Sequence, residues 1–285
     1  MQIFVTGGTG YIGRAVVAAL TGAGHDVVAL NSSPDKREML EGLGATPHAG
    51  GLADPGSYRK AAAAAHARVH MAFDYAAPRE TDRIAVETLL AADGDEGGGC
   101  FVYTSGCWVL GDTGGEVAGE DAAVDEPAEI VSWRVGHERV VLAGAGPESA
   151  TAVVRPGVVY GRGGGLTSHL FESATRSGAA EFVGAGRNHW SVVHVDDLAA
   201  LYRRLVEGRA RGVFHGVDGV PMRVEEVARE ASSAAGAGGA TRSVPVERAR
   251  EKLGGVADAL CLDQRLAAPR SLAFGWTPRR PSFAA

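Results

Sequence analysis

The feature that most constrains this chain is a run of glycines directly after its first apolar segment. Gln2–Thr6 reads as a short buried strand, and Thr6-Gly7-Gly8-Thr9-Gly10-Tyr11-Ile12-Gly13 follows without a break. The run fits GxxGxxG through Gly7, Gly10 and Gly13, and GxGxxG through Gly8, Gly10 and Gly13. Val16, Val17 and Leu20 then carry a helix over Gly13–Leu20. Such a pattern gains meaning when it leaves a strand and opens a helix. The early glycines permit a tight turn and bring backbone N–H groups close to a pyrophosphate. The helix N-terminus adds a favourable dipole, and Gly13 allows close packing of helix on strand. The spacing predicts Gly7, Gly10, Tyr11, Ile12 and Gly13 at the phosphates of a bound dinucleotide.

The next strand, Asp26–Leu30, ends at Asn31-Ser32-Ser33-Pro34, with Lys36 and Arg37 just beyond. A carboxylate at this place would hold the adenosine ribose hydroxyls and favour NAD. None is present, and two hydroxyls with two cations suit a 2′-phosphate. Asn31, Ser32 and Ser33 are therefore expected at the cofactor, with NADP(H) favoured over NAD(H).

Further strand candidates are Arg68–Phe73, Phe101–Thr104, Ala152–Arg155 and Val192–Val195. Helical stretches are expected near Arg79–Ala92, Val131–Ala143 and Leu166–Ser177, and from Asp197 through Val206. This alternation predicts βαβ units and an α/β fold, a doubly wound parallel sheet of the Rossmann type. Residues 1–165, with about 190–217, are expected to form the dinucleotide-binding domain. Residues 166–189 and 218–285 are expected to form a smaller C-terminal substrate-binding lobe, which includes the tail Leu253–Pro281. Ala231–Ala240, nearly all Ala, Gly and Ser, reads as a loop or a weak helix end.

Composition narrows the partners. The net charge of −6 supplies no basic field for nucleic acid or an anionic membrane. Glycine is abundant, at 41 residues, but without a Gly-X-Y period, which excludes collagen. No run of about 18 apolar residues occurs, and the start lacks the pattern of a signal peptide. Cys100, Cys107 and Cys261 form no CxxC pair, and the histidines show no HxxxH or HExxH spacing. No metal site and no disulfide framework is expected, and a cytoplasmic protein with reduced thiols is the simplest reading.

With these segments in place, the chain resembles the short-chain dehydrogenase/reductase superfamily in its extended NAD-dependent epimerase/dehydratase branch. The resemblance rests on Thr6–Gly13, on Phe101-Val102-Tyr103-Thr104-Ser105, and on Arg155-Pro156-Gly157-Val158-Val159-Tyr160-Gly161. Val193-His194-Val195-Asp196-Asp197-Leu198-Ala199 and Gly275-Trp276-Thr277-Pro278 extend it over most of the chain. It implies catalysis by Ser/Thr, Tyr and Lys, with tyrosine moving the proton and lysine holding the nicotinamide ribose.

No YxxxK occurs between Asp125 and Ala143. The family helix carries Glu four residues after its lysine, and Glu138-Arg139-Val140-Val141-Leu142 fits that place. Counting back puts Arg134 at the lysine position and Ile130 at the tyrosine position. Gly106 falls at the serine position, one residue after Ser105. The chain is thus identified as an atypical member, with Ser105, Arg134 and His137 as its catalytic candidates. Arg134 cannot give up a proton, since a guanidinium stays charged, but it can reach the nicotinamide ribose. On a helix Ile130, Trp133, Arg134 and His137 would share one broad face. The resemblance also places Pro156 at the cofactor. Trp108, Trp133, Tyr160, His189 and Trp190 are candidates to contact a small-molecule substrate.

The leading expectation is an NADP(H)-dependent oxidoreductase acting on a small carbonyl or alcohol. A non-redox isomerase, epimerase, dehydratase or cyclase remains open, as does a non-catalytic dinucleotide-binding protein. The helices near Arg79–Ala92 and Val131–Ala143 leave a homodimer open.

Overall fold

The computed structural model describes residues 1–92 and 99–280. Pro281, the last residue of the tail read above, and the end of the 218–285 lobe lie outside the described residues. The chain divides into two compact units. One comprises Met1–Ser105, Gly136–Val154 and Leu198–Phe214, and the other Gly106–Val135, Arg155–Asp197 and His215–Ala285.

The first unit is built by the expected alternation. Its elements are β1 (Gln2–Thr6), α1 (Tyr11–Gly22), β2 (Asp26–Asn31), α2 (Arg37–Gly42), β3 (Thr46–Ala49), α3 (Arg59–Ala63), β4 (Ala67–His70), α4 (Pro78–Leu90) and β5 (Cys100–Thr104). To these come α5 (Trp133–Ala143), β7 (Ala150–Pro156), α7 (Val195–Glu207) and β12 (Gly212–Gly216), each of which has residues assigned to both units. The strands form one seven-stranded sheet in the order β12-β7-β5-β4-β1-β2-β3. Every pair from β3 through to β7 is parallel. Strand order therefore reverses beside β1, the switch point where open α/β sheets bind ligands.

Strands β1 and β5 carry apolar runs, as a parallel sheet covered on both faces requires: Ile3, Phe4 and Val5 in β1, and Phe101, Val102 and Tyr103 in β5, are buried, while β4 between them also buries Arg68 and His70. On one face Phe4, Leu30, Tyr58, Val86, Leu89 and Phe101 share a core. Edge strand β3, with Pro47 inside it, and strand β12 lie outside the sequence expectation. Expected Arg68–Phe73 is shorter as a strand, ending at His70, and the chain beyond it becomes a loop.

In the second unit the remaining elements are β6 (Val117–Ala118), β8 (Val158–Tyr160), α6 (Ser168–Ser177), β9 (Ala180–Val183), β10 (His189–Trp190), β11 (Val192–His194), β13 (Met222–Arg223), α8 (Val224–Ala234), β14 (Thr241–Val244), α9 (Val246–Leu253), α10 (Val256–Ala259), β15 (Arg265–Leu266) and α11 (Pro269–Ala273). Helices α6 and α8 pack with β9 around Leu170, Phe182, Trp190, Val224, Val227 and Leu260. The Ala/Gly/Ser stretch opens inside α8, where Ala231 and Ser232 are fully buried. Small side chains let α8 press into this core, and the first residues of the stretch form the helix end that the sequence left open beside a loop. The tail is part of the same unit: β15 pairs with β6, and Trp276 Nε1 donates to Asp197 O at 2.8 Å.

Candidate functional site

The glycine turn is shaped by contacts that leave no room for a side chain. Gly7 has φ +74°, and a Cβ there would lie 2.5 Å from Ala72 N and 2.6 Å from Met71 C. A Cβ on Gly13 would lie 2.8 Å from Gly7 C and 3.0 Å from Gly8 Cα, and closer still to Gly7 O. Real carbon contacts sit near 3.5–4.0 Å, so glycine is required at both places. Gly10 N donates to Gly7 O at 2.9 Å and closes the turn. Gly10 also serves as the N-cap of α1, where the first-turn amides have no partner inside the helix.

Above this turn lies a groove of about 890 Å³. The turn contributes Gly7, Thr9, Gly10, Tyr11, Ile12 and Gly13, and the end of β2 contributes Leu30, Asn31, Ser32 and Ser33, with Lys36 just beyond. The other walls are Gly50–Ala53, after β3, and Met71–Ala76, after β4. The structure thus brings Gly7, Gly10, Tyr11, Ile12, Gly13, Asn31, Ser32 and Ser33 to one cavity. The Gly50–Ala53 and Met71–Ala76 walls were not flagged in the sequence, although the rule that ligands sit at the carboxyl ends of the strands points to them.

The rim at β2 is polar and carries no carboxylate. Asn31 Oδ1 accepts from Ser33 N at 3.3 Å and fixes the turn. Lys36 lines the groove, whereas Arg37 gives its Nε to Glu41 at 2.8 Å and lines a neighbouring pocket with Asn31 and Ser32. Opposite in the groove's lining, Asp74 accepts from Ala76 N at 2.9 Å and Thr81 Oγ1 at 3.1 Å. The amide first, and then the hydroxyl, hold its carboxyl below the usual range.

The residues that the resemblance assigns to the reaction are Ser105, Gly106, Ile130, Arg134 and His137. Ser105 is buried, its N donates to Val154 O at 2.8 Å, and its Oγ has no hydrogen-bond partner. Gly106 is extended, at φ −179°, with nothing within 4 Å of a Cβ built there. Ile130 is not on the α-helix: it lies in the 3-10 turn Glu129–Val131, and α5 begins at Trp133. This corrects the expectation of one helical face shared by Ile130, Trp133, Arg134 and His137. Ile130 packs instead where a Cβ on Gly255 would meet its Cγ2. Trp133 Nε1 donates back to Ile130 O at 3.1 Å, and the Arg134 guanidinium lies 4.6 Å from the Trp133 ring centre. His137 is turned inward, its Nδ1 2.6 Å from Asp82 Oδ2. Pro156 closes β7 and is buried.

Of the substrate candidates, Trp190 is a core residue of the second unit, with Nε1 donating to Leu260 O at 3.0 Å. Tyr160 belongs to the same core, gives its hydroxyl to Arg280 O at 2.5 Å, and lines a cavity of about 290 Å³ with Gly161, Arg162 and Phe171. Trp108 is half-buried against that core. His189 is held by Asp263: ring Nδ1 and backbone N lie 2.7 Å and 2.6 Å from the same oxygen. His194 holds the turn into α7 by accepting from Asp196 N at 3.1 Å, and burial pushes its pKa down. Among the described residues no group of His, Cys, Asp and Glu could hold a metal ion, and no helix is long and apolar enough to cross a membrane.

A parallel sheet whose order reverses at a glycine turn, with a groove across its carboxyl edge, defines a Rossmann-type nicotinamide-dinucleotide protein. The chain belongs to the NAD dependent epimerase/dehydratase family, whose model matches residues 3–215. It is 30% identical over 235 residues to an uncharacterized protein of Saccharomyces cerevisiae, spanning 78% of this chain and 77% of that one. It is 29% identical over 255 residues to the 2-alkyl-3-oxoalkanoate reductase of Stenotrophomonas maltophilia, spanning 83% and 76%. The fold matches human epimerase family protein SDR39U1, solved with NADPH, at a TM-score of 0.81 and 22% identity, spanning 100% of this chain and 97% of that one.

Proposed function

We propose that this chain is an NADPH-dependent reductase of a small carbonyl substrate that works without the family's tyrosine. The observation that carries the cofactor choice is the rim at β2: Asn31, Ser32, Ser33 and Lys36 stand in the groove where an NAD enzyme keeps a carboxylate. Lys36 is the cation for a 2′-phosphate, since Arg37 is already engaged by Glu41. Gly7, Gly10 and Gly13 give the pyrophosphate its close approach to backbone amides. Bound there, NADPH would supply the hydride. The relative named as a 2-alkyl-3-oxoalkanoate reductase supports a ketone as the acceptor. We assign substrate contacts to the second unit, with Trp108, Trp133, Tyr160 and His189 retained from the sequence reading and Trp190, a core side chain, set aside. The thiols of Cys100, Cys107 and Cys261 form no disulfide among the described residues, which fits a cytoplasmic setting.

The test is a titration of NADPH and NADH, followed by the fluorescence of the reduced nicotinamide. NADPH is expected to bind about tenfold or more tightly, equivalent to ~1.4 kcal/mol or more. Lys36→Ala should remove that preference and leave NADH affinity in place. Equal affinities in the wild type, or a preference for NADH, would refute the assignment. Turnover is then followed by loss of reduced-nicotinamide absorbance with a panel headed by 3-oxoalkanoates. Ile130 at the tyrosine position favours, as a second reading, a non-redox isomerase, epimerase, dehydratase or cyclase. Tight binding with no net oxidation on any carbonyl counts against the reductase reading.

A further inference from the structure

A single carboxylate in the first unit gathers polar side chains from three other elements. Asp82 of α4 is 4% exposed, His70 at the end of β4 is 1%, Tyr103 of β5 is 0% and His137 of α5 is 8%. Tyr103 Oη donates to Asp82 Oδ2 at 2.8 Å, and His137 Nδ1 donates to the same oxygen at 2.6 Å. His70 Nε2 donates to Asp82 Oδ1 at 3.2 Å. His70 Nδ1 is 2.6 Å from Thr6 Oγ1.

The proton positions follow from the acceptor. An ionised carboxylate can only accept, so both imidazoles and the phenol must point a hydrogen at it. A neutral His70 that donates from Nε2 keeps a lone pair on Nδ1, and the Thr6 hydroxyl then gives its hydrogen there. Such donors are what make a buried carboxylate tolerable. In this way Asp82 sets the tautomer of His70, the tautomer of His137 and the direction of the Thr6 hydroxyl.

The groups it holds frame the groove. Thr6 precedes Gly7, the residue with backbone packed on Met71 and Ala72. Met71–Ala76 is the wall that follows β4. The His70–Asp82 bond ties the two ends of this wall together, and Thr81 pins Asp74 within it. His137 ties α5, the helix carrying Arg134, to the same carboxylate.

We propose that Asp82 is a positioning residue for the dinucleotide, holding the Met71–Ala76 wall and α5 in the arrangement that accepts the ligand. The inference rests on reading the groove as a dinucleotide site. Asp82 touches no ligand in this account and acts through His70 and His137.

The experiment measures NADPH affinity by fluorescence in wild type, Asp82→Asn, His137→Leu and His137→Asn, beside urea unfolding of each. Asp82→Asn puts an amide N–H against donors, and its Kd is expected to rise at least about tenfold. His137→Leu should weaken binding likewise. His137→Asn, with an amide N–H in place of Nδ1–H, should restore affinity toward wild type. Nitrogen NMR of the imidazoles adds a readout that a structural role alone would not move. The His70 and His137 ring signals should report Nε2–H and Nδ1–H tautomers and shift when NADPH is added, because coupling between sites is reciprocal. Variants that unfold more easily yet bind NADPH with wild-type Kd would overturn the inference while leaving the dinucleotide reading intact. Ring signals indifferent to NADPH would do the same. A wild type that binds no NADPH would overturn the dinucleotide reading and this inference with it.

Discussion

Gly13→Ala tests the packing that shapes the groove. The new methyl would meet Gly7 C at 2.8 Å and Gly8 Cα at 3.0 Å, and would press hardest on Gly7 O. Against an ordinary contact near 3.5–4.0 Å, the turn must retreat by roughly 1 Å or more. It has nowhere to go, because Gly7 already lies on the Met71–Ala72 backbone at positive φ. Overpacking of this kind costs about 1–3 kcal/mol, while Gly→Ala within a helix returns about 1 kcal/mol. The net expectation is a loss of up to roughly 2 kcal/mol in urea unfolding. Binding should suffer more than stability, since a shift near 1 Å in positioned groups costs on the order of 10²-fold. Gly136→Ala is the control: that glycine is exposed on α5 with nothing within 4 Å of a Cβ, and it should gain about 1 kcal/mol with NADPH affinity unchanged. If Gly13→Ala gains stability like the control and binds NADPH normally, the argument that the glycines shape the site is wrong.

Two further outcomes concern the second unit. Burial pushes the Asp218 carboxyl from its ordinary 3.8 to about 6, and its Oδ2 has no hydrogen-bond partner. A folded pKa above the unfolded one means stability that is whole below about pH 4 and is lost as pH rises through about 6. The full shift corresponds to ~3 kcal/mol, reduced by solvent on the exposed side to about 1–2 kcal/mol. Asp218→Asn should therefore stabilise the protein by that amount at pH 7 and not at pH 4, and an equal effect at both would refute the account. Trp190→Ala should cost about 3–5 kcal/mol in unfolding experiments, since it empties a core site and removes one of the two side-chain donors to Leu260 O, Asn188 Nδ2 being the other. A variant of unchanged stability with altered turnover would return Trp190 to the substrate pocket.

How much of this was legible depended on whether a residue's role is written in local spacing. Thr6–Gly13 was legible because a tight turn between strand and helix needs glycine at fixed offsets, and the contacts at Gly7 and Gly13 show why. Asn31–Ser33 was legible from its distance to that turn. The Met71–Ala76 wall was not: the apolar run ending in Phe73 looks like strand, and only parallel pairing shows where the sheet stops. His137 drew notice as a titratable group on a helix, but which neighbour it would find depends on three other elements. Asp82 left one signal that could have been used. It falls in register with Ala85, Val86 and Leu89, all buried on one face of α4, and a carboxylate at a core position of an amphipathic helix needs donors supplied from outside it. His70, at the end of a buried strand, was the nearest source. Within the first unit, the polar group with most of its hydrogen-bond directions set is thus the Asp82 carboxylate, where His70, Tyr103 and His137 converge.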